Sequence, residues 1–102
     1  MVLDNGTWQL ADYNDSNTKD LCGLALDTTP ATTGVMVRGM ITNYGYSLSA
    51  NTGDPLWIGT SGNFRTSPPT GAGDYARVVG YWIGGTYNQI WFDPDKTWVE
   101  IA

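Results

Sequence analysis

The sequence contains no histidine, a single cysteine (Cys22) and only five basic residues. Each scarcity removes a class of chemistry. Without imidazoles or a second thiol there is no donor set for a zinc site and no intrachain disulfide. Catalysis at neutral pH usually recruits an imidazole, a tuned thiol, a metal or a carboxylate pair in a pocket, so only carboxylates remain here. The Gly-x-Ser-x-Gly elbow, the P-loop and the dinucleotide glycine fingerprint are also absent. Lys19, Arg38, Arg65, Arg77 and Lys96 are scattered singly, and ten acidic residues bring the formal charge to −5. Phosphate backbones select clustered cations, so nucleic acid is not an expected partner. No stretch approaches the roughly eighteen apolar residues of a membrane span. The amino terminus lacks the basic start and apolar run of a signal peptide. The chain is therefore expected to be made and kept in a cytoplasm until it is assembled into something.

What is abundant is turn and ribbon material. Thirteen glycines and five prolines, with many Thr, Asn and Asp residues, punctuate the chain at the spacing of short strands. The expected fold is all-β: a small single-domain β-sandwich or β-barrel-like arrangement of short antiparallel strands and hairpins over residues 1–102. Asp4-Asn5-Gly6 between two apolar stretches predicts a tight first hairpin, because Asn-Gly supplies the positive φ angles of a type I′ turn. Residues 12–20 are polar and predict a loop or one helical turn. Residues 21–26 read as a buried strand containing a small buried Cys22, followed by a loop at Asp27-Thr28-Thr29-Pro30. Residues 35–41 read as one strand with Val35, Val37, Gly39 and Ile41 on one face and Met36, Arg38 and Met40 on the other. Residues 44–48 and 55–59 predict further strands, and a turn at Ser61-Gly62-Asn63 leads into Phe64-Arg65-Thr66. Residues 67–74 have almost nothing to bury and predict an exposed loop. Residues 75–83 and 89–92 are predicted to pair across a glycine-containing loop. A turn at Asp93-Pro94-Asp95-Lys96 then precedes a last strand at 97–101, with Glu100 facing outward.

Two residue classes are left to carry function. A glycosidase needs two carboxylates about 5–10 Å apart, but nearly every aspartate lies in or beside turn sequence, where Asp is favoured for local backbone hydrogen bonds. Asp93-Pro94-Asp95 and the Asn14-Asp15 region offer oxygens to calcium without the length of a dedicated loop. No catalytic residue, metal or cofactor is assigned. The aromatics are the second class. Five Trp, six Tyr and two Phe exceed what one small core comfortably encloses, and Trp and Tyr suit interfaces by joining large contact area to a polar tip. Alternation sets Tyr81 and Ile83 opposite Trp82, and Ile90 and Phe92 opposite Trp91, so one of the two sets is expected to leave the core. Arg38 must reach water, a carboxylate or a partner along its apolar stem. The interface candidates are Trp57, Tyr81, Trp82, Trp91, Trp98 and Arg38.

Asp54-Pro55-Leu56-Trp57-Ile58-Gly59-Thr60, Thr66-Ser67-Pro68-Pro69-Thr70-Gly71 and Asp74-Tyr75-Ala76-Arg77-Val78-Val79-Gly80-Tyr81 together resemble a segment of bacteriophage virion surface proteins. These include capsid decoration (cement) proteins and the ends of head or tail fibres. The closing Gln89-Ile90-Trp91-Phe92-Asp93-Pro94-Asp95-Lys96-Thr97-Trp98-Val99-Glu100 is similar to the ending of that group, as are Leu21-Cys22-Gly23-Leu24-Ala25-Leu26 and Val35-Met36-Val37-Arg38-Gly39-Met40-Ile41 earlier in the chain. The resemblance implies a β-rich, non-enzymatic domain displayed on the outer surface of a phage particle, commonly as a trimer. Its implied partners are further copies of itself and the major capsid protein or another virion protein. A terminal fibre domain that binds host-surface glycans is the alternative that the same resemblance leaves open.

Overall fold

The two strongest runs of β-branched and aromatic residues, β10 (Val78–Gly84) and β11 (Gln89–Phe92), pair antiparallel at the centre of a five-stranded sheet. The structure is a computed structural model and describes residues 1–4, 7–25, 34–42 and 48–102. β7 (Pro55–Ile58) lies beside β10, and the short β6 (Gly39–Ile41) and β8 (Phe64–Arg65) occupy the two edges, giving the order β6-β11-β10-β7-β8. The hairpin between β10 and β11 turns through Gly84 and Gly85, both at positive φ, with Asn88 in the same region at φ 46°. Those are angles that glycine adopts freely and asparagine tolerates.

A second sheet has the order β2-β1-β3, from β1 (Val2–Asp4), β2 (Thr7–Gln9) and β3 (Leu21–Cys22). Asp4 opposes Thr7, so the first hairpin forms in the expected register, while Asn5 and Gly6 themselves lie outside the described residues. The polar stretch after it contains a single 3-10 helix, Ser16–Lys19. Two ribbons complete the set, β4 (Leu24–Ala25) with β5 (Val35–Met36) and β9 (Tyr75–Ala76) with β12 (Val99–Glu100). Every pairing is antiparallel, so the chain is an all-β protein.

The core follows from alternation on β7, β10 and β11. Leu56, Ile58, Trp82, Ile90 and Phe92 point inward and are buried. Ile58, Val79 and Phe92 meet Val2, Cys22 and Ala11 from the smaller sheet and its exit, which is sheet-on-sheet packing. Leu56, Trp82 and Ile90 form a second cluster covered by Leu48 and Ala50. Ile41 and Phe64 pack on both clusters and join them. Gly80 sits where β10 crosses β11, and a Cβ there would run into the Trp91 carbonyl.

Several expected strands are broken, each for a local reason. Residues 21–26 do not form one buried strand: Gly23 divides β3 from β4, which join different sheets, and Leu21 is 55% exposed. A Cβ at Gly23 would overlap Val35 and press on Trp8, so the chain can cross between sheets there only as glycine. Residues 35–41 bend at Val37 and Arg38, and Val37 is exposed rather than sharing a buried face. Gly39 takes φ 153° with the Met36 sulfur over the place of its missing side chain. In the loop expected to be wholly exposed, Pro69 is fully buried. The predicted turn at 93–96 instead lies against β10, with Asp93 N–H donating to the Val79 carbonyl (2.9 Å) and Asp95 N–H to that of Val78 (2.8 Å). The last strand is only Val99–Glu100, both exposed, as expected for Glu100. The predicted strand at 44–48 and the loop at 27–30 fall outside the described residues, apart from Leu48, which is in no strand.

The expected strand at 75–83 is interrupted at Arg77, which sequence reasoning treated as one more scattered cation. Arg77 is buried. Its Nε donates to the Asp95 carbonyl (2.8 Å), and one terminal nitrogen donates to the carbonyls of Thr18 (2.7 Å) and Asp20 (2.6 Å). A buried charge is tolerated when hydrogen-bonded in this way. Removing it strands those carbonyls, so Arg77→Met is expected to lower unfolding free energy by about 3 kcal/mol or more in urea titrations. Arg77→Lys should recover little of that loss, because a lone ammonium lacks the fork that spans the acceptors.

Cys22 is buried as expected, and its Sγ–H donates to the Asp20 carbonyl at 3.7 Å. Burial pushes the thiol above its ordinary pKa, with the Arg77 charge pulling the other way. The fold thus favours the neutral thiol. That contribution is complete below the ordinary thiol value of about 8.5 and is lost as pH rises through the higher folded value. Stability of the native chain should fall faster above about pH 8.5 than that of Cys22→Ala. Disulfide reagents should react slowly with the native thiol and rapidly in urea.

Candidate interaction surface

With Leu56, Ile58, Trp82, Ile90 and Phe92 committed inward, strand alternation turns their neighbours to the other face of the five-stranded sheet. The registers are explicit. Met40 opposes Trp91, Trp91 opposes Tyr81 and Tyr81 opposes Pro55, so one row of apolar side chains crosses β6, β11, β10 and β7. Met40 is 47% exposed and Tyr81 41%, with Trp91 and Pro55 half-buried between and beside them. A bulge between Val78 and Gly80 shifts the next row, pairing Val78 with Trp57, and Trp57 in turn opposes Arg65 on β8. Bulges of this kind re-aim side chains within a ladder. Here Val79 turns into the core while Val78 stays half-buried.

Arg38 lies at the β6 end of this face. Its guanidinium sits 5.5 Å from the centre of the Trp91 ring and its Nε is 3.4 Å from an Asp93 carboxylate oxygen. Both ends of that ion pair face solvent, so its stabilising contribution is small. Its effect is geometric: the cation covers one part of the indole and limits the rotamers of both side chains. Asp93 is placed for this role by its own N–H bond to Val79.

The six sequence candidates therefore separate. Tyr81, Trp91, Trp57 and Arg38 share the outer face of one sheet. Trp98 is 41% exposed but belongs to the segment leading into β12, in the ribbon with β9. Trp82 is only 5% exposed and packs with Leu56 and Ile90, so in this fold it offers no surface to a partner. Met40 and Pro55, which complete the row, were not among the sequence candidates, which were tryptophans, Tyr81 and Arg38. The pairing of β6 with β11 places Met40 and that of β7 with β10 places Pro55. Carboxylates are largely occupied in turns: Asp12, Asp54, Asp74 and Asp95 each accept a backbone N–H from two or three residues away. Among the described residues no group of three or more Cys, Asp or Glu side chains is arranged to hold a metal ion. No described helix is long and apolar enough to cross a membrane.

No family model, curated protein or solved structure matches this chain.

The division between the two sheet faces is directly measurable. Trp82→Ala should cost about 3–5 kcal/mol of unfolding free energy, as deletion of a buried indole does. Tyr81→Ser, one position earlier and on the other face, should stay within about 1 kcal/mol of the parent in the same denaturant titration.

Proposed function

We propose that this chain is a structural subunit of a phage particle, a decoration or cement protein that docks on the assembled head as a trimer. The observation that carries the reading is the apolar row Met40, Trp91, Tyr81 and Pro55, laid over four adjacent strands, exposed at Met40 and Tyr81 and half-buried at Trp91 and Pro55. A row of this kind, with Trp and Tyr at its centre and charged residues at its edge, has the composition of a protein-binding patch. Such a face needs no moving part and no reactive group. Its binding free energy comes from removing aromatic surface from water, with Arg38 and Asp93 at the rim setting orientation. The resemblance of the sequence segments around Trp57, Tyr81 and Trp91 to virion surface proteins supports the same assignment, and it is the source of the trimer.

Co-sedimentation tests it. The purified chain should run as a trimer in analytical ultracentrifugation and pellet with assembled shells of the parent phage. Trp91→Ala and Tyr81→Ser, shown by circular dichroism to keep the β fold, should each weaken shell binding at least about tenfold, the loss typical of truncating a central aromatic contact. A chain that stays monomeric and never pellets with shells overturns the reading. Unchanged binding by both variants removes this face from it.

A further inference from the structure

At the β8 edge of the same sheet lies a cleft of about 560 Å³ lined by Tyr13, Asn63, Phe64, Arg65, Ser67 and their neighbours Leu48, Ser49, Gly59, Thr60 and Thr66. That is within the roughly 300–1,000 Å³ of small-molecule sites. It lies one strand beyond β7, where the outer row ends at Pro55. In a chain of net charge −5 its composition is unusual: none of the described residues lining it is acidic, and one is arginine. The Arg65 guanidinium lies 4.8 Å from the centre of the Tyr13 ring. Among the described residues it makes no hydrogen bond or ion pair. Its donors are therefore available to a ligand. Around it stand the hydroxyls of Ser49, Thr60, Thr66 and Ser67 and the Asn63 amide. These groups both donate and accept.

The walls are fixed in advance. Tyr13 N–H donates to the Gly59 carbonyl (3.0 Å), and the Tyr13 carbonyl accepts from Tyr75 N–H (2.7 Å). Gly59 N–H donates to the Asn63 carbonyl (2.7 Å) and Gly62 N–H to that of Ala11 (2.8 Å), closing the turn in which Ser61 and Gly62 hold positive φ. Bound geometry thus requires little ordering of the backbone.

From these features we infer that the cleft binds a carboxylated pyranose, a sialic or uronic acid residue at the end of a glycan. The sugar carboxylate pairs with Arg65, which presents the planar fork that matches it. Ring hydroxyls meet groups able to act as donor or acceptor, and the C–H face of the sugar rests against the Tyr13 ring. A neutral sugar leaves the cation without a partner. The site lies one strand beyond Pro55, at the end of the apolar row, and uses groups that the row does not.

The test is titration of the isotope-labelled full chain with the methyl glycosides of N-acetylneuraminic acid, glucuronic acid and glucose, followed by amide NMR shifts. Either acidic glycoside, or both, should produce saturable shifts confined to residues 13 and 59–67, weakening as salt is raised; which of them binds separates the two sources of the carboxylate. Arg65→Gln, with an otherwise unchanged spectrum, should weaken binding at least about tenfold, and Arg65→Lys should retain part of it. Equal binding of the glucoside, no saturable shift with either acid, or an unaffected Arg65→Gln each overturns the inference. Shell pelleting by Arg65→Gln at the parental level keeps the outcome separate from that of the docking proposal.

Discussion

The buried Arg77 guanidinium is the constraint on which the rest of the structure depends. Its position between β9 and β10 divides a run that composition alone would make continuous, sending β9 to pair with β12 and β10 to pair with β7 and β11. Its donors hold the end of the 3-10 helix at Thr18, the approach to β3 at Asp20 and the segment after β11 at Asp95. Its own carbonyl accepts the Ile58 N–H at 3.3 Å. Segments from both sheets and from the connection after β11 are thereby tied to one side chain. In a small domain with no disulfide, a multiply bonded buried cation does part of what a covalent staple does elsewhere.

That constraint also places the surfaces. The hold on Asp95 lays residues 93–95 along the start of β10, which puts the Asp93 carboxylate beside Arg38 and the Arg38 cation over Trp91. On the other side, β9 begins with Tyr75, whose N–H fixes the Tyr13 backbone beneath Arg65. The outer row, which ends on β7, and the cleft at β8 thus share one internal support. A change at Arg77 is expected to disturb both.

The sequence made the all-β class legible, along with the pairing of β1 with β2, the β10–β11 pair, the Pro55 strand and the turn before Phe64. Each rests on a local rule: a turn residue with the right φ, or alternation over four or more positions. What stayed hidden is non-local. Gly23 separates β3 from β4 where Val35 and Trp8 occupy the space beside it, and no local pattern announces those neighbours. Period-2 reading correctly set Trp82 against Tyr81 but could not say which of them faced the core. The bulges at Val78–Gly80 and Trp82–Gly84 reset the phase within β10 itself. Trp98 illustrates the same limit, since its exposure follows from the short β12 ribbon rather than from anything in its own neighbourhood.

Charge distribution follows the same logic of satisfied and unsatisfied groups. Arg77 is saturated by carbonyls, and Arg38 has both a carboxylate and an indole. The aspartates at 12, 54, 74 and 95 accept from their own turns, which leaves fewer oxygens free to neutralise a cation elsewhere. Arg65 alone of the three arginines has an aromatic ring as its sole neighbour of that kind among the described residues. Net acidity therefore does not make the surface uniformly repellent to anions. Local bonding withdraws the carboxylates into turn geometry, and among the described arginines it leaves the one at the wall of the polar cleft with its hydrogen-bond donors unspent.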